Sequence, residues 1–382
     1  MRSSDILEIR KRFKDETGSI RKIAIAYCAG SDKSVLCRSV RTFNALEEAE
    51  RLRYLEIFRK GFSGAKDRNI LSLPFELDSK MESDVQKDLI TLRNSEFKDE
   101  AAVNAFMDRI IECYKPESNF LIILISDAYD IPDKGEDNLR QGESGEVYDY
   151  IACFICPVNL AKVALSYHED DKMIASRIRD HIVDMPEVGF VFPAFSERSA
   201  DVNNVMYYVK DPKEGMHPEL INDLLKCTEV TTSIQEKEVF NQIVEDVISE
   251  VPEYDTFDVV KNINTKLCEM VEESGYNEPP VIDKPMMKKL MADSGIKEEH
   301  MEIVDDYFDR IAGDIPIHSE NVAEKRSLKV KADDVKLDVK PESADKVEIR
   351  IIDGRKYLVI PMDSDIEVNG IIRRINETLK EE

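Results

Sequence analysis

The apolar residues of this chain fall into short blocks whose spacing switches between two residues and three or four. The strongest block is Phe120-Leu121-Ile122-Ile123-Leu124-Ile125, unbroken and flanked by polar residues. It is too short to cross a bilayer. It predicts a strand buried on both faces of a sheet. Residues 20–28, 69–75 and 147–158 predict further strands, and 163–168 a possible partner for the last of these. Residues 189–195 and 204–210 predict a hairpin closed by the polar loop 196–203. Elsewhere the period is helical. Residues 5–16 place Ile6, Ile9 and Phe13 on one face, and 45–60 turn Leu46, Leu52, Leu55 and Phe58 inward, with Gly61 as the stop. Residues 82–94, 99–114 and 171–185 predict three more helices, and the polar stretch 133–146 an exposed loop. Strands and helices intermix without strict alternation. The expectation is an α+β fold, with a mixed α/β front domain over 1–215 built on a mixed sheet.

The pattern changes after this point. Val239, Phe240, Ile243, Val244, Val247 and Ile248 mark one helical stripe, and Val259, Val260, Ile263, Leu267 and Val271 another. Residues 216–312 are therefore expected as a helical region, 313–326 as a linker, and 327–382 as a small β-rich region. Its sharpest signal is Asp353-Gly354 between 347–352 and 355–360, because Asp-Gly tolerates the positive φ angles of a tight hairpin turn. Residues 371–379 predict a closing helix.

Charge narrows the function classes. The net charge is −25 over 382 residues. Residues 216–326 hold 26 acids against 11 bases, and residues 1–215 hold 39 against 31. Such a field repels phosphate backbones and anionic bilayers, so nucleic acid and membrane surfaces are disfavoured as partners. The first residues contain no apolar run of signal-peptide length, and no run of about 18 apolar residues occurs. The seven cysteines are scattered and odd in number, as expected of free thiols in a reducing cytoplasm.

Three groupings bear on chemistry. Asp127 and Asp130, at the end of the apolar strand, and His168 form a candidate site for a divalent metal such as Mg²⁺ or Mn²⁺, and so for phosphoester hydrolysis. Acids at strand ends are also ordinary turn formers. Arg59, Lys60 and Arg68 flank a glycine-containing loop that would suit an anion or nucleotide sensor, although basic residues also cap helix C-termini without any ligand. Cys153 and Cys156 are spaced as CxxC, but inside a strand residues i and i+3 face opposite ways, which predicts two buried free thiols. The segment 286–301 has the outline of a helix-turn-helix. Its second helix carries Glu298, Glu299, Glu302, Asp305 and Asp306, the wrong sign for a DNA groove. The loop 196–201 carries serines without a neighbouring histidine and predicts a plain hairpin connection.

Several stretches together carry a resemblance: Tyr54-Leu55-Glu56-Ile57-Phe58-Arg59-Lys60, Cys156-Pro157-Val158-Asn159-Leu160, Ser176-Arg177-Ile178-Arg179-Asp180-His181-Ile182-Val183, Gly189-Phe190-Val191-Phe192-Pro193-Ala194-Phe195, and Ile352-Asp353-Gly354-Arg355. The chain resembles a bacterial family of unknown function, number forty-three seventeen, over nearly its whole length. The resemblance implies a stand-alone bacterial cytoplasmic protein, and no activity or cofactor comes with it. With five histidines and no compelling catalytic constellation, the leading expectation is a non-catalytic protein that binds a protein partner, the acidic helices suiting a basic one. No cofactor is expected, a divalent metal being the alternative.

Overall fold

The computed structural model describes residues 1–13, 19–76, 84–132, 146–169, 172–177, 179–251, 256–274, 279–324, 327–332, 334–361, 366–368 and 371–373. It divides into two units, Met1–Thr232 and Ser233–Glu382. The first comprises, in chain order, α1 (Ser3–Arg12), β1 (Lys22–Cys28), β2 (Val35–Thr42), α2 (Glu48–Gly61), β3 (Ile70–Pro74), α3 (Asp84–Asn94), α4 (Glu100–Cys113), β4 (Asn119–Asp130), β5 (Val147–Leu160), β6 (Leu165–His168), β7 (Met173–Ser176), β8 (His181–Val183), β9 (Val188–Phe192), β10 (Ala194–Ser196), β11 (Ser199–Asp201) and β12 (Asn204–Val209). Its main sheet runs β2-β1-β4-β5-β9-β12-β3, with β8 also paired to β5.

The fold is α+β. Alternation along β4 explains its architecture. Phe120, Ile122 and Leu124 face one way and meet Leu89 of α3, Phe106 and Ile110 of α4, and Leu220, Ile221 and Leu224 of the π-helical turn Glu219–Leu224. Leu121, Ile123 and Ile125 face the other way and join Ile9 of α1, Phe13 just beyond it, and Leu55 and Phe58 of α2. The Phe58 and Phe154 rings stack at 5.1 Å, and Phe13 stacks on Phe62 at 5.2 Å. These offset aromatic contacts tie the helical layer to β5.

Every described pairing in this sheet is antiparallel, which corrects the mixed sheet expected from the apolar run. Continuous burial is a mark of parallel strands because crossover helices cover both faces. Here helices cover both faces of an antiparallel sheet, so the same apolar run results. The expected helix over 171–185 is also corrected: its described part contains β7 and β8. Met173, Ile174 and Ile182 sit at helix-like intervals, but β7 pairs with β6 and β8 with β5. Nor does β6 pair with β5. The expected loop 133–146 lies outside the described residues except for Glu146.

The first unit extends past residue 215, because the π-helical turn fills the α3–α4 side of its core. The second unit holds α5 (Ser233–Glu250), α6 (Thr256–Ser274), α7 (Lys284–Asp293), α8 (Met301–Ile311) and α9 (Ser319–Val322). The hairpins β13 (Leu328–Ala332)–β14 (Val335–Val339), β15 (Glu348–Ile352)–β16 (Arg355–Val359) and β17 (Ile366–Val368)–β18 (Ile371–Arg373) follow. The two apolar stripes form its core, with Phe240, Ile243, Val247, Ile263 and Leu267 buried against Met287 and Val304. The stretch expected as a linker is packed over its described part. Ile317 and Val322 enter that core, and the buried Glu236 accepts hydrogen bonds from His318 N at 2.8 Å and Asn321 Nδ2 at 3.0 Å. Asp353 and Gly354 take φ values of 51° and 76°, the tight turn their sequence predicts. Residues 371–373 are strand, not the start of the expected helix, and the rest of that stretch lies outside the described residues. Among the described residues no helix is long and apolar enough to cross a membrane.

Candidate functional site

Asp127 is one of the few fully buried acids, at 1 % exposure. Strand alternation turns it to the α1–α2 side, where Arg12 Nη2 approaches its two carboxylate oxygens at 3.0 and 2.8 Å. The Ser19 hydroxyl and the Ala128 backbone N–H donate to Oδ1 at 2.9 and 2.7 Å, and the Tyr150 hydroxyl donates to Oδ2. A carboxylate offers about four lone-pair directions, so these donors occupy it. The Arg12 guanidinium also lies 4.5 Å over the Tyr129 ring. Burial opposes the charge on Arg12, but Tyr150 and Asp127 more than offset it and raise its pKa. Burial, then Asp127, pushes the Tyr150 phenol far up, which keeps it protonated as a donor.

Asp130 is three residues on and exposed, on the opposite side of the strand. Its backbone pairs with Val147. His168 ends β6 in the separate two-stranded sheet, and its side chain is outside the described residues. The structure therefore does not bring Asp127 and Asp130 together. Among the described residues no group of three His, Cys, Asp or Glu side chains is placed to hold a metal. Asp127 anchors α1 to β4 by an ion pair that the sequence pattern could not reveal, since its partner lies 115 positions away.

Arg59 and Lys60 occupy the last turn of α2. The helix ends against β5, where Gly61 lies so close to the Phe154 ring that a Cβ would stand 2.3 Å from it. Arg10 and Lys11 occupy the last turn of α1. These four cations, with Glu56, Ser63 and Met185, line one cavity of about 680 Å³. Arg68 does not line it; it lies exposed in the turn that leads to β3. Arg59 and Lys60 are neighbours in the sequence; that Arg10 and Lys11 join them in one lining depends on the convergence of two helix ends, a tertiary fact.

A second cluster was not legible in sequence. His217, with φ 52°, places Nε2 3.3 Å from Glu187 and Nδ1 3.4 Å from Glu219. Tyr114 covers the ring at 5.6 Å and its hydroxyl is 3.3 Å from Glu187. Burial opposes the imidazolium, but Glu187 and Glu219 hold its pKa above the ordinary value, and the His217 hydrogen bond lowers that of Glu187. Its four members come from the end of α4, the start of β9 and the π-helical turn. Only the nearness of His217 to Glu219 shows in the sequence.

The remaining motifs are structural. Cys153 and Cys156 are buried on opposite faces of β5, and burial pushes both thiols up, so neither is a ready thiolate. Glu197 and Arg198 make the two-residue turn of the β10–β11 hairpin, both with positive φ, and Arg198 pairs with Glu8 at 3.1 Å. In the helix-turn-helix-like segment, α7 and α8 neutralise one another through Lys288–Asp305 and Lys284–Asp309, each at 2.6 Å.

No curated protein and no solved structure matches the chain. A family model, described as a domain of unknown function, matches residues 1–371. With that match over nearly all of its length, the chain belongs to the DUF4317 family.

Proposed function

We propose that this protein works by binding a protein partner, without catalysis, in the reducing interior of the cell. The observation that carries the reading is the β6–β7 hairpin. In its register Tyr167 lies opposite Ile174 and Leu165 opposite Ser176, so these side chains share a face. Leu165, Tyr167 and Ile174 are 74, 62 and 68 % exposed. Val163 and Met173 beside them are exposed as well. A concentrated exposed apolar surface on a monomer marks an interaction site. Among the described residues β6 and β7 pair only with each other, which leaves edges open for strand addition.

The partner's chemistry follows from charge. Residues 160–183 hold four acids and four bases, so this segment does not attract anionic lipid. The whole chain at −25 repels nucleic acid and a second copy of itself. A basic protein presenting an apolar face or an extended apolar segment fits best, because opposite net charge speeds encounter and the apolar contact sets the lifetime. The seven free cysteines support the reducing compartment.

The test captures partners from native extract with the wild-type chain and with Tyr167→Asp/Ile174→Asp, purifies the captured protein, and measures its binding directly. The reading expects wild-type binding that weakens with salt and is lost in the variant, with thermal stability unchanged. Equal binding by both chains sinks it. So does a self-dimer in light scattering that the variant abolishes, since the face would then serve a second copy.

A further inference from the structure

We infer that the cavity between the C-terminal ends of α1 and α2 binds a compact, phosphate-rich polyanion. Arg10, Lys11, Arg59 and Lys60 converge there, and among the described residues none of them forms an ion pair. Unpaired cations are common along this chain, but these four come from two different helix ends and line one concavity. The lone acid of the lining, Glu56, is engaged by Arg53 at 3.1 Å. Basic residues in a helix's last turn favour its negative dipole end, which accounts for each pair separately. It does not account for two helices delivering their cations to one concavity, where an anion would meet all four positive charges together.

The frame around the cavity is stiff. Phe13, just beyond α1, stacks on Phe62 and packs edge-on to Phe58 at 5.7 Å. Arg12, next to Lys11, is locked in the buried pair with Asp127. Gly61 abuts Phe154. This packing fixes the backbone positions from which the four cations project.

The lining also selects the ligand class. Two guanidinium forks and two ammonium groups match phosphoryl oxygens, which accept bidentate and point-charge donors alike. Among the described residues the lining has no aromatic ring, so a nucleobase finds nothing to stack on. A long nucleic acid would leave the cavity and meet the field of a −25 chain. The volume, about 680 Å³, suits a small ligand. A short polyphosphate chain meets all of these conditions. This inference is independent of the hairpin.

The test is calorimetric titration of the full chain with tripolyphosphate, ATP and citrate. Tripolyphosphate is expected to bind with an affinity that falls with salt. Arg59→Ala/Lys60→Ala and Arg10→Ala/Lys11→Ala are each expected to weaken it by about tenfold or more, and Arg68→Ala to leave it unchanged. The exchange Arg59→Lys/Lys60→Arg, which keeps the charge, guards against loss of folding and is expected to retain most of the affinity. Absence of tripolyphosphate binding, or equal binding by the alanine variants, overturns the site. Citrate binding as tightly as tripolyphosphate, or ATP binding more than tenfold tighter, overturns the assigned class.

Discussion

At the scale of single residues, burial decides what an acid does. Asp127 and Asp130 are three positions apart and equally polar on paper, yet one is sealed against Arg12 and the other is open to water. Replacing Asp127 by Asn leaves the Arg12 charge buried without its counter-ion. The expected loss is about 3–5 kcal/mol of unfolding free energy in urea titrations. Arg12→Met with Asp127→Leu should cost less than the sum of the single changes, since neither charge is then stranded. A loss below about 1 kcal/mol in Asp127→Asn would mean that the pair is solvated.

His217 makes a pH-dependent contribution at the same scale. Its folded pKa lies above the ordinary 6.5, so its stabilisation is complete below that value and is lost as pH rises through the folded pKa. Glu187 runs the other way. Its folded pKa lies below the ordinary 4.5, so its contribution is present above that value and fades as pH falls through the folded pKa. The stability difference between wild type and His217→Gln should therefore be largest between about pH 4.5 and 6.5 and shrink on the alkaline side. Denaturant midpoints of both chains across pH 4 to 9, an illustrative range of about two units either side of the histidine value, check this. A difference flat with pH would show that the imidazole carries no charge in the fold.

At the scale of elements, legibility followed packing. The helices over 82–94 and 99–114 emerged as α3 and α4 because each has one apolar stripe facing one sheet. Asp99 caps α4 by accepting from Ala101 N and Ala102 N, a local signal that the sequence carries. The Asp353-Gly354 hairpin was legible for the same reason: its determinant is two residues long. β2 was not legible. It is an edge strand with exposed and half-buried positions, so no alternation marks it. β7 and β8 were read as helix, because exposed strands need not alternate and Met173, Ile174 and Ile182 match either period.

For the whole molecule, the three apolar clusters respect the division at Thr232. Two lie wholly before it, on either face of the main sheet, and the third wholly after it. A chain ending at Thr232 is accordingly expected to fold by itself, with a cooperative melt and a strand-rich circular dichroism spectrum. A chain ending at 215 is expected to fail, because it lacks Leu220, Ile221, Leu224 and Leu225 of the α3–α4 side of the core. Cooperative folding of the shorter chain would refute this account of the boundary. Local rules acting over a few residues, namely periodicity, capping and turn chemistry, already specified the α+β class, most helices and the central strands. That Arg12 seals Asp127, that two helix ends share one basic cavity, and that Glu187, His217 and Glu219 meet depend on contacts between residues far apart in the chain. Such contacts are set by how the layers pack, and no local pattern records them.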